Sequence, residues 1–91
     1  MVTEYGVQTA GDYDEVLGVA RWAQQRGLVS FALPDHYLPS TRGDRAAEPV
    51  QDAFAQLAGL AREADGIRLA LLVSPITFRH PAVLAKNAAT I

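Results

Sequence analysis

The chain contains no cysteine, which excludes a disulfide framework and any chemistry that depends on a thiolate. It has no excess of positive charge either, since eight basic and ten acidic residues give a net charge of −2, and this argues against a nucleic-acid partner. No apolar run approaches the ~20 residues that a membrane-spanning helix needs, and the polar N-terminus does not resemble a secretory signal. These absences predict a cytoplasmic protein that binds neither nucleic acid nor membrane.

Two kinds of ligand-binding motif are also missing. There is no Gly-rich loop of the GxGxxG or P-loop type that would cradle a phosphate. Histidines and carboxylates do not occur at metal-ligand spacing, so we predict no metal site. What remains is 49% hydrophobic and 20% charged residues, which is the composition of an ordinary globular domain.

Strand-like and helix-like segments alternate along this chain. Residues 5–8, 29–33 and 67–73 are compatible with strands, and the third is an apolar run broken only by Arg68. Such a run is typical of a strand buried on both faces, as in a parallel sheet. The alternation predicts an α/β fold with three parallel strands in the spatial order 1-2-3 and the connecting helices on one face.

Start and stop signals place the helices between these strands. Asp12 is a predicted N-cap, and Gly27 is the expected left-handed residue after a helix whose last turn contains Arg26. The second helix is predicted to begin near Pro49 or Asp52. The third should open at residues 80–81, with His80 either as a capping residue or as a residue that supports the site from behind. Apolar residues at helical spacing predict the buried stripes, namely Val16, Ala20 and Ala23, then Phe54, Leu57, Ala58 and Ala61.

Polar residues follow the second and third strands, at the edge of a parallel sheet where βα proteins place their chemistry. His36 is either a proton donor and acceptor or a loop histidine that hydrogen-bonds the backbone. Asp35 either bonds a ligand, orients His36 or closes an Asx turn. Thr77 and Arg79 are candidates for the mouth of a pocket. A polar loop over residues 38–48 follows the second strand, and a loop of that length is often functional.

The order of these segments resembles a known family. A strand and helix ending at residues 26–27 precede a strand ending in Asp35, His36 and Tyr37, and the chain closes with IRLALLVSPITFRHPAVLAKNAATI over residues 67–91. This is similar to the N-terminal part of the bacterial luciferase-like monooxygenase family, in particular its branch that uses the deazaflavin coenzyme F420. The resemblance covers the chain apart from residues 38–48.

The resemblance implies a (β/α)₈ TIM barrel, of which this chain would form the first three βα units. Because such a barrel typically needs about 250 residues, we expect residues 1–91 to be the N-terminal portion of a single barrel domain, truncated in the third helix. The intact protein is then expected to be a homo-oligomer that acts on a small-molecule substrate, whereas residues 1–91 alone are expected to be inactive.

By resemblance, the activity is hydride transfer between reduced coenzyme F420 and a small organic molecule. His36 would handle the accompanying proton, and Asp35 would contact the cofactor. Relatives carry a bulge with a cis non-proline peptide that backs the cofactor ring, and by position it falls at Leu72-Val73, or alternatively at Val73-Ser74. Leu72, Val73 and Ser74 are therefore predicted cofactor-binding residues.

Two alternatives remain open at this point. The first is an FMN-dependent monooxygenase of the same superfamily, which would activate oxygen. The second is a non-catalytic βα module that works only with a partner chain.

Overall fold

A computed structural model describes residues 1–38 and 49–91 of the chain. The predicted loop at residues 38–48 therefore lies outside the described residues, apart from Leu38. Strands and helices alternate throughout as β1 (Gly6–Gln8), α1 (Tyr13–Gln25), β2 (Ser30–Leu33), α2 (Ala53–Glu63), β3 (Arg68–Leu71) and α3 (Pro81–Thr90).

The three strands form one open sheet in the order β1-β2-β3, and both neighbouring pairs are parallel. In the register, Val7 pairs with Phe31, and Phe31 pairs with Leu69. This confirms the predicted α/β fold and strand order. Three consecutive parallel βα units are consistent with part of a (β/α)₈ barrel.

The sheet packs one of its faces against α1 and α2, which both lie on that side. Phe31 and Leu33 of β2 are fully buried at the centre of the cluster. The helices contribute apolar residues that include Val16, Ala20, Ala23, Ala53, Leu57, Leu60 and Ala64. The stripe predicted for α1 is confirmed, and one shared core joins α1, which contacts β2, with α2, which contacts β3.

In α2 the buried face differs from the prediction at Ala58 and also at Ala61, which is only half-buried. Ala58 is exposed, whereas Ala53, Leu57, Leu60 and Ala64 are buried. These four residues are spaced at i, i+4, i+7 and i+11, so they lie on one side of the helix. Ala58 follows Leu57 by one residue, so its side chain is turned about 100° from that of Leu57 and points out of the core.

The prediction that β3 is buried on both faces is wrong. Leu69 and Leu71 are half-buried beside the helix-facing residues of β2, but Arg68 and Ala70 are exposed. The exposed pair lies on the opposite face of the sheet, which no helix of the described ranges covers. The apolar run therefore did not predict the burial of the strand correctly, because burial depends on what packs against each face of the sheet.

Each helix begins at a side chain that caps its free backbone N–H groups. Asp12 forms a capping box with Glu15 at the start of α1. Asp52 Oδ1 accepts a hydrogen bond from the Ala55 N–H at 2.8 Å at the start of α2. His80 Nδ1 accepts from the backbone N–H at residue 82 at 3.2 Å at the start of α3. The predicted caps at Asp12 and His80 are confirmed, and Asp52 is the correct one of the two starts proposed for α2.

The end of α1 lies one residue earlier than predicted. The helix ends at Gln25, so that Arg26 is its C-cap and not part of its last turn. Gly27 follows with φ +76°, which confirms its left-handed conformation.

Within the two described ranges, no helix has the length and apolar character needed to cross a membrane.

Two helix glycines provide a matched test of the packing between α1 and α2. A Cβ at Gly18 would meet nothing within 4 Å, so Gly18→Ala should raise the free energy of unfolding by up to about 1 kcal/mol through helix propensity. A Cβ at Gly59 would lie 2.5 Å from the Tyr13 hydroxyl oxygen, which donates a hydrogen bond to Glu63. Gly59→Ala must displace that ring. We expect the resulting free energy of unfolding to be about 1 kcal/mol lower than that of Gly18→Ala. Urea denaturation of both variants measures the difference, and equal stabilisation would contradict the observed packing.

Candidate functional site

β2 and β3 end side by side, and the residues that follow them continue the link between the strands. The Leu72 N–H donates to the Leu33 carbonyl at 2.8 Å, and the Asp35 N–H donates to the Val73 carbonyl at 3.2 Å. The Ser74 hydroxyl also donates to Asp35 Oδ2 at 2.7 Å. Residues predicted separately from the two strand ends are thus brought together at one edge of the sheet.

The peptide bond between Leu72 and Val73 is cis. It occurs at the first of the two positions that the resemblance implied. The Leu72 carbonyl accepts a hydrogen bond from the side-chain amide of Gln8, which reaches over from β1. The main chain here is therefore held from both β1 and β2, while the side chains of Leu72 and Val73 remain 51% and 60% exposed.

Asp35 is fully buried and forms a two-point ion pair with Arg79 from the loop before α3. Arg79 Nη2 donates to Asp35 Oδ1 at 2.9 Å, and Arg79 Nη1 donates to Asp35 Oδ2. Since Ser74 also donates to Oδ2, both carboxylate oxygens are engaged. The observed role of Asp35 is to join the two loops, and a direct contact with a cofactor stays a prediction.

The ionisation of this pair follows from its hydrogen bonds. Burial by itself would raise the pKa of Asp35, but the hydrogen bonds from Arg79 and Ser74 outweigh burial and leave that pKa lowered. The hydrogen bond to Asp35 raises the pKa of Arg79, against the opposing effect of burial. Both groups are therefore charged at neutral pH and form a buried ion pair.

Arg79 has further contacts that connect it to α2. Its Nη2 donates to Asp52 Oδ2 at 3.2 Å, and its guanidinium carbon lies 4.7 Å from the ring centre of Phe54 and 5.4 Å from that of Tyr37. Its side chain is only 10% exposed. The residue predicted as a candidate for the pocket mouth is instead turned inward, where it links the end of β2, the start of α2 and the loop before α3.

His36 is exposed, and it lies between the buried Asp35 and Tyr37. The Tyr37 ring stacks on Phe78 with ring centres 4.3 Å apart and planes 15° from parallel, and Tyr37 is still 49% exposed. The imidazole is thus carried by a segment fixed on both sides, one by an ion pair and the other by an aromatic contact. This arrangement leaves His36 accessible to a ligand at the edge of the sheet.

Sequence reasoning missed three contributors to this edge, namely Gln8, Arg79 as an anchor, and the Tyr37–Phe78 pair. The available signal was the one arginine in the loop SPITFRHP, together with an aspartate just after a buried strand. A buried acid after one strand needs a cation, and the loop after the next strand is its nearest source.

No group of three or more histidine, aspartate or glutamate side chains in residues 1–38 and 49–91 is placed to hold a metal ion. The described edge therefore offers three groups to a ligand or to the fold. They are the exposed imidazole of His36, the exposed apolar pair Leu72 and Val73, and the buried ion pair of Asp35 and Arg79.

Comparison with protein-family models gives a match to the luciferase-like monooxygenases that covers residues 2–91. Comparisons with curated proteins and with solved structures gave no significant match. Members of the matched family carry out oxidoreductase or monooxygenase chemistry with a flavin or F420 cofactor. The match spans nearly the whole chain, and the three parallel βα units agree with it. This chain belongs to the luciferase-like monooxygenase family.

Proposed function

We propose that this chain carries part of the active site of an F420-dependent oxidoreductase, which transfers a hydride between the reduced deazaflavin and a small organic substrate. The observation that carries the proposal is the pairing, at one edge of the sheet, of an exposed histidine with two exposed apolar side chains. These residues are His36, Leu72 and Val73.

The apolar pair fits the flat face of a cofactor ring. Leu72 and Val73 stay more than half exposed although hydrogen bonds hold their main chain at the end of the sheet. Exposed apolar surface next to fixed polar groups is a common feature of ligand sites. A ring laid on these two side chains would cover them without competing for hydrogen bonds, because the Leu72 and Val73 carbonyls already accept bonds from Gln8 and Asp35.

His36 is the group proposed to move the proton. A bound reduced deazaflavin supplies a hydride, that is, two electrons with one hydrogen. His36 donates the second hydrogen as a proton, so a substrate double bond gains two electrons and two hydrogens in total. Imidazole suits this role because it exchanges protons near neutral pH, and the exposure of His36 gives a substrate access to it.

The cofactor is tested by titrating the purified intact protein with reduced F420 and, separately, with reduced FMN, while the ring absorbance and oxygen consumption are followed. We expect tighter binding of F420 and substrate-dependent oxidation of it without oxygen. Binding of FMN alone with consumption of oxygen would instead support the monooxygenase alternative. Binding of neither would favour a non-catalytic module.

A matched pair of variants tests the ring-facing surface in the same titration. Val73→Asp places a carboxylate against the proposed ring, and we expect about a tenfold or greater loss of affinity because the charge must be buried. Val83→Asp makes the same change at a similarly exposed valine in the first turn of α3, and it should leave affinity unchanged. Equal affinities of the two variants would remove Val73 from the site.

A further inference from the structure

We propose that Arg79 is a positioning residue, which sets the place of His36 relative to the apolar pair Leu72 and Val73. The inference rests on the proposed function, because it assigns a role to Arg79 within the same site. Arg79 is not proposed to touch the cofactor or the substrate.

The first step of the argument is the geometry of the ion pair. Arg79 approaches Asp35 with two of its nitrogens, one on each carboxylate oxygen. Asp35 is fully buried and the Arg79 side chain is 10% exposed, so the pair is shielded from water. Two parallel hydrogen bonds from a planar guanidinium fix orientation as well as distance.

The second step is that Asp35 connects both halves of the proposed site. Its backbone N–H donates to the Val73 carbonyl at 3.2 Å, and its carboxylate accepts from Ser74 at 2.7 Å. His36 is the next residue along the chain. The backbone of Asp35, held in place through this carboxylate, therefore sets the position of His36 with respect to Val73.

The third step is that Arg79 is itself anchored on α2. Asp52 accepts a hydrogen bond from Arg79 at 3.2 Å, and Phe54 lies under the guanidinium at 4.7 Å. Both residues belong to the start of that helix, which packs into the core through Leu57 and Leu60. The position of His36 therefore depends on a rigid helix of the fold as well as on its own loop.

Lysine is the informative substitution at this position. Arg79→Lys keeps the positive charge that balances Asp35, but it lacks the fork that makes two bonds in one plane. In the intact protein we expect kcat to fall by about 10²-fold, as for a displacement of the order of 1 Å, while the Kd for cofactor changes by less than about threefold. Arg68→Lys is the matched control, because Arg68 pairs with Glu4 at 2.6 Å on an exposed surface at the other end of β3.

A second measurement tests how firmly Asp35 is held, and it needs no cofactor. Hydrogen exchange of the Asp35 amide reports its bond to the Val73 carbonyl, and we expect about tenfold faster exchange in Arg79→Lys. The Val29 amide, which donates to the Tyr5 carbonyl at 2.9 Å near the opposite end of β2, should be unchanged. Thermal unfolding of the variant is measured alongside, so that general loss of structure is distinguished from a local shift.

Three results would overturn the inference. These are a kcat within about twofold of wild type, an equal loss of kcat in Arg68→Lys, and an unchanged exchange rate of the Asp35 amide. If the wild-type protein turned over neither cofactor, the proposed function would fail. Hydrogen exchange would then still decide whether Arg79 holds the two strand ends together.

Discussion

Replacing His36 with alanine in the intact protein is expected to lower kcat by about 10²–10⁴-fold, the range typical of a positioned acid or base. Cofactor affinity should change by less than about threefold, because the ring is proposed to lie on the side chains of Leu72 and Val73 and not on the imidazole. A loss confined to kcat identifies an interaction used in the chemical step. Steady-state kinetics together with a cofactor titration measure the two quantities separately.

The second histidine of the chain provides the control for this experiment. His80 caps α3 through its Nδ1 and has no place in the proposed chemistry. His80→Ala is expected to lower the free energy of unfolding by roughly 1 kcal/mol through loss of the cap and to leave kcat unchanged. If His36→Ala also left kcat unchanged, His36 would be a loop histidine without a role in catalysis.

The second large effect concerns stability at the buried ion pair. Asp35→Asn removes the charge that balances Arg79, and we expect it to lower the free energy of unfolding by about 3–5 kcal/mol at pH 7, as for a buried charge left without its partner. Asp52→Asn is the matched control, because Asp52 also contacts Arg79 but has a half-exposed side chain. An asparagine at residue 52 retains the helix cap, so the cost there should stay below about 1 kcal/mol.

The same pair predicts a pH dependence of known sign. Because the pKa of Asp35 is lowered in the folded protein, its carboxylate stabilises the fold fully above its unfolded value near 3.8. That stabilisation is lost as the pH falls below this value and through the lower folded pKa. The difference in unfolding free energy between wild type and Asp35→Asn should therefore narrow in acid. Urea denaturation at pH 7 and at about pH 3 measures it, and a gap independent of pH would contradict the ion pair.

Local signals in the sequence account for most of the fold that could be predicted. Helix starts at Asp12 and His80 depend on a few neighbouring residues, and the alternation of strand and helix fixes a parallel order. The exposure of one face of β3 was not predictable, since it depends on which surfaces face it. The exposed position of Ala58 was missed for a related reason, because several helical stripes fit the same apolar residues and packing selects one of them.

The candidate site was likewise predictable only in part. The strand-end position of Asp35 and His36 followed from the pattern, whereas the role of Arg79 depends on contacts with residues 44 and 27 positions away in the chain. The side chain of Gln8 meets the Leu72 carbonyl across 64 positions. Contacts of this range arise from the register of the sheet and from the loops, and neither is encoded in a local window.

Asp52 uses its two oxygens for different purposes, one to cap α2 and the other to accept from Arg79. Serine or threonine would satisfy the first purpose alone, and asparagine offers a single oxygen for both. Evolutionary drift at residue 52 is therefore constrained twice, by helix initiation and by the placement of a distant arginine. Among related sequences, positions 52 and 79 are expected to change together. Selection on the chemistry at the sheet edge would then be detectable at the capping residue of a helix outside the site.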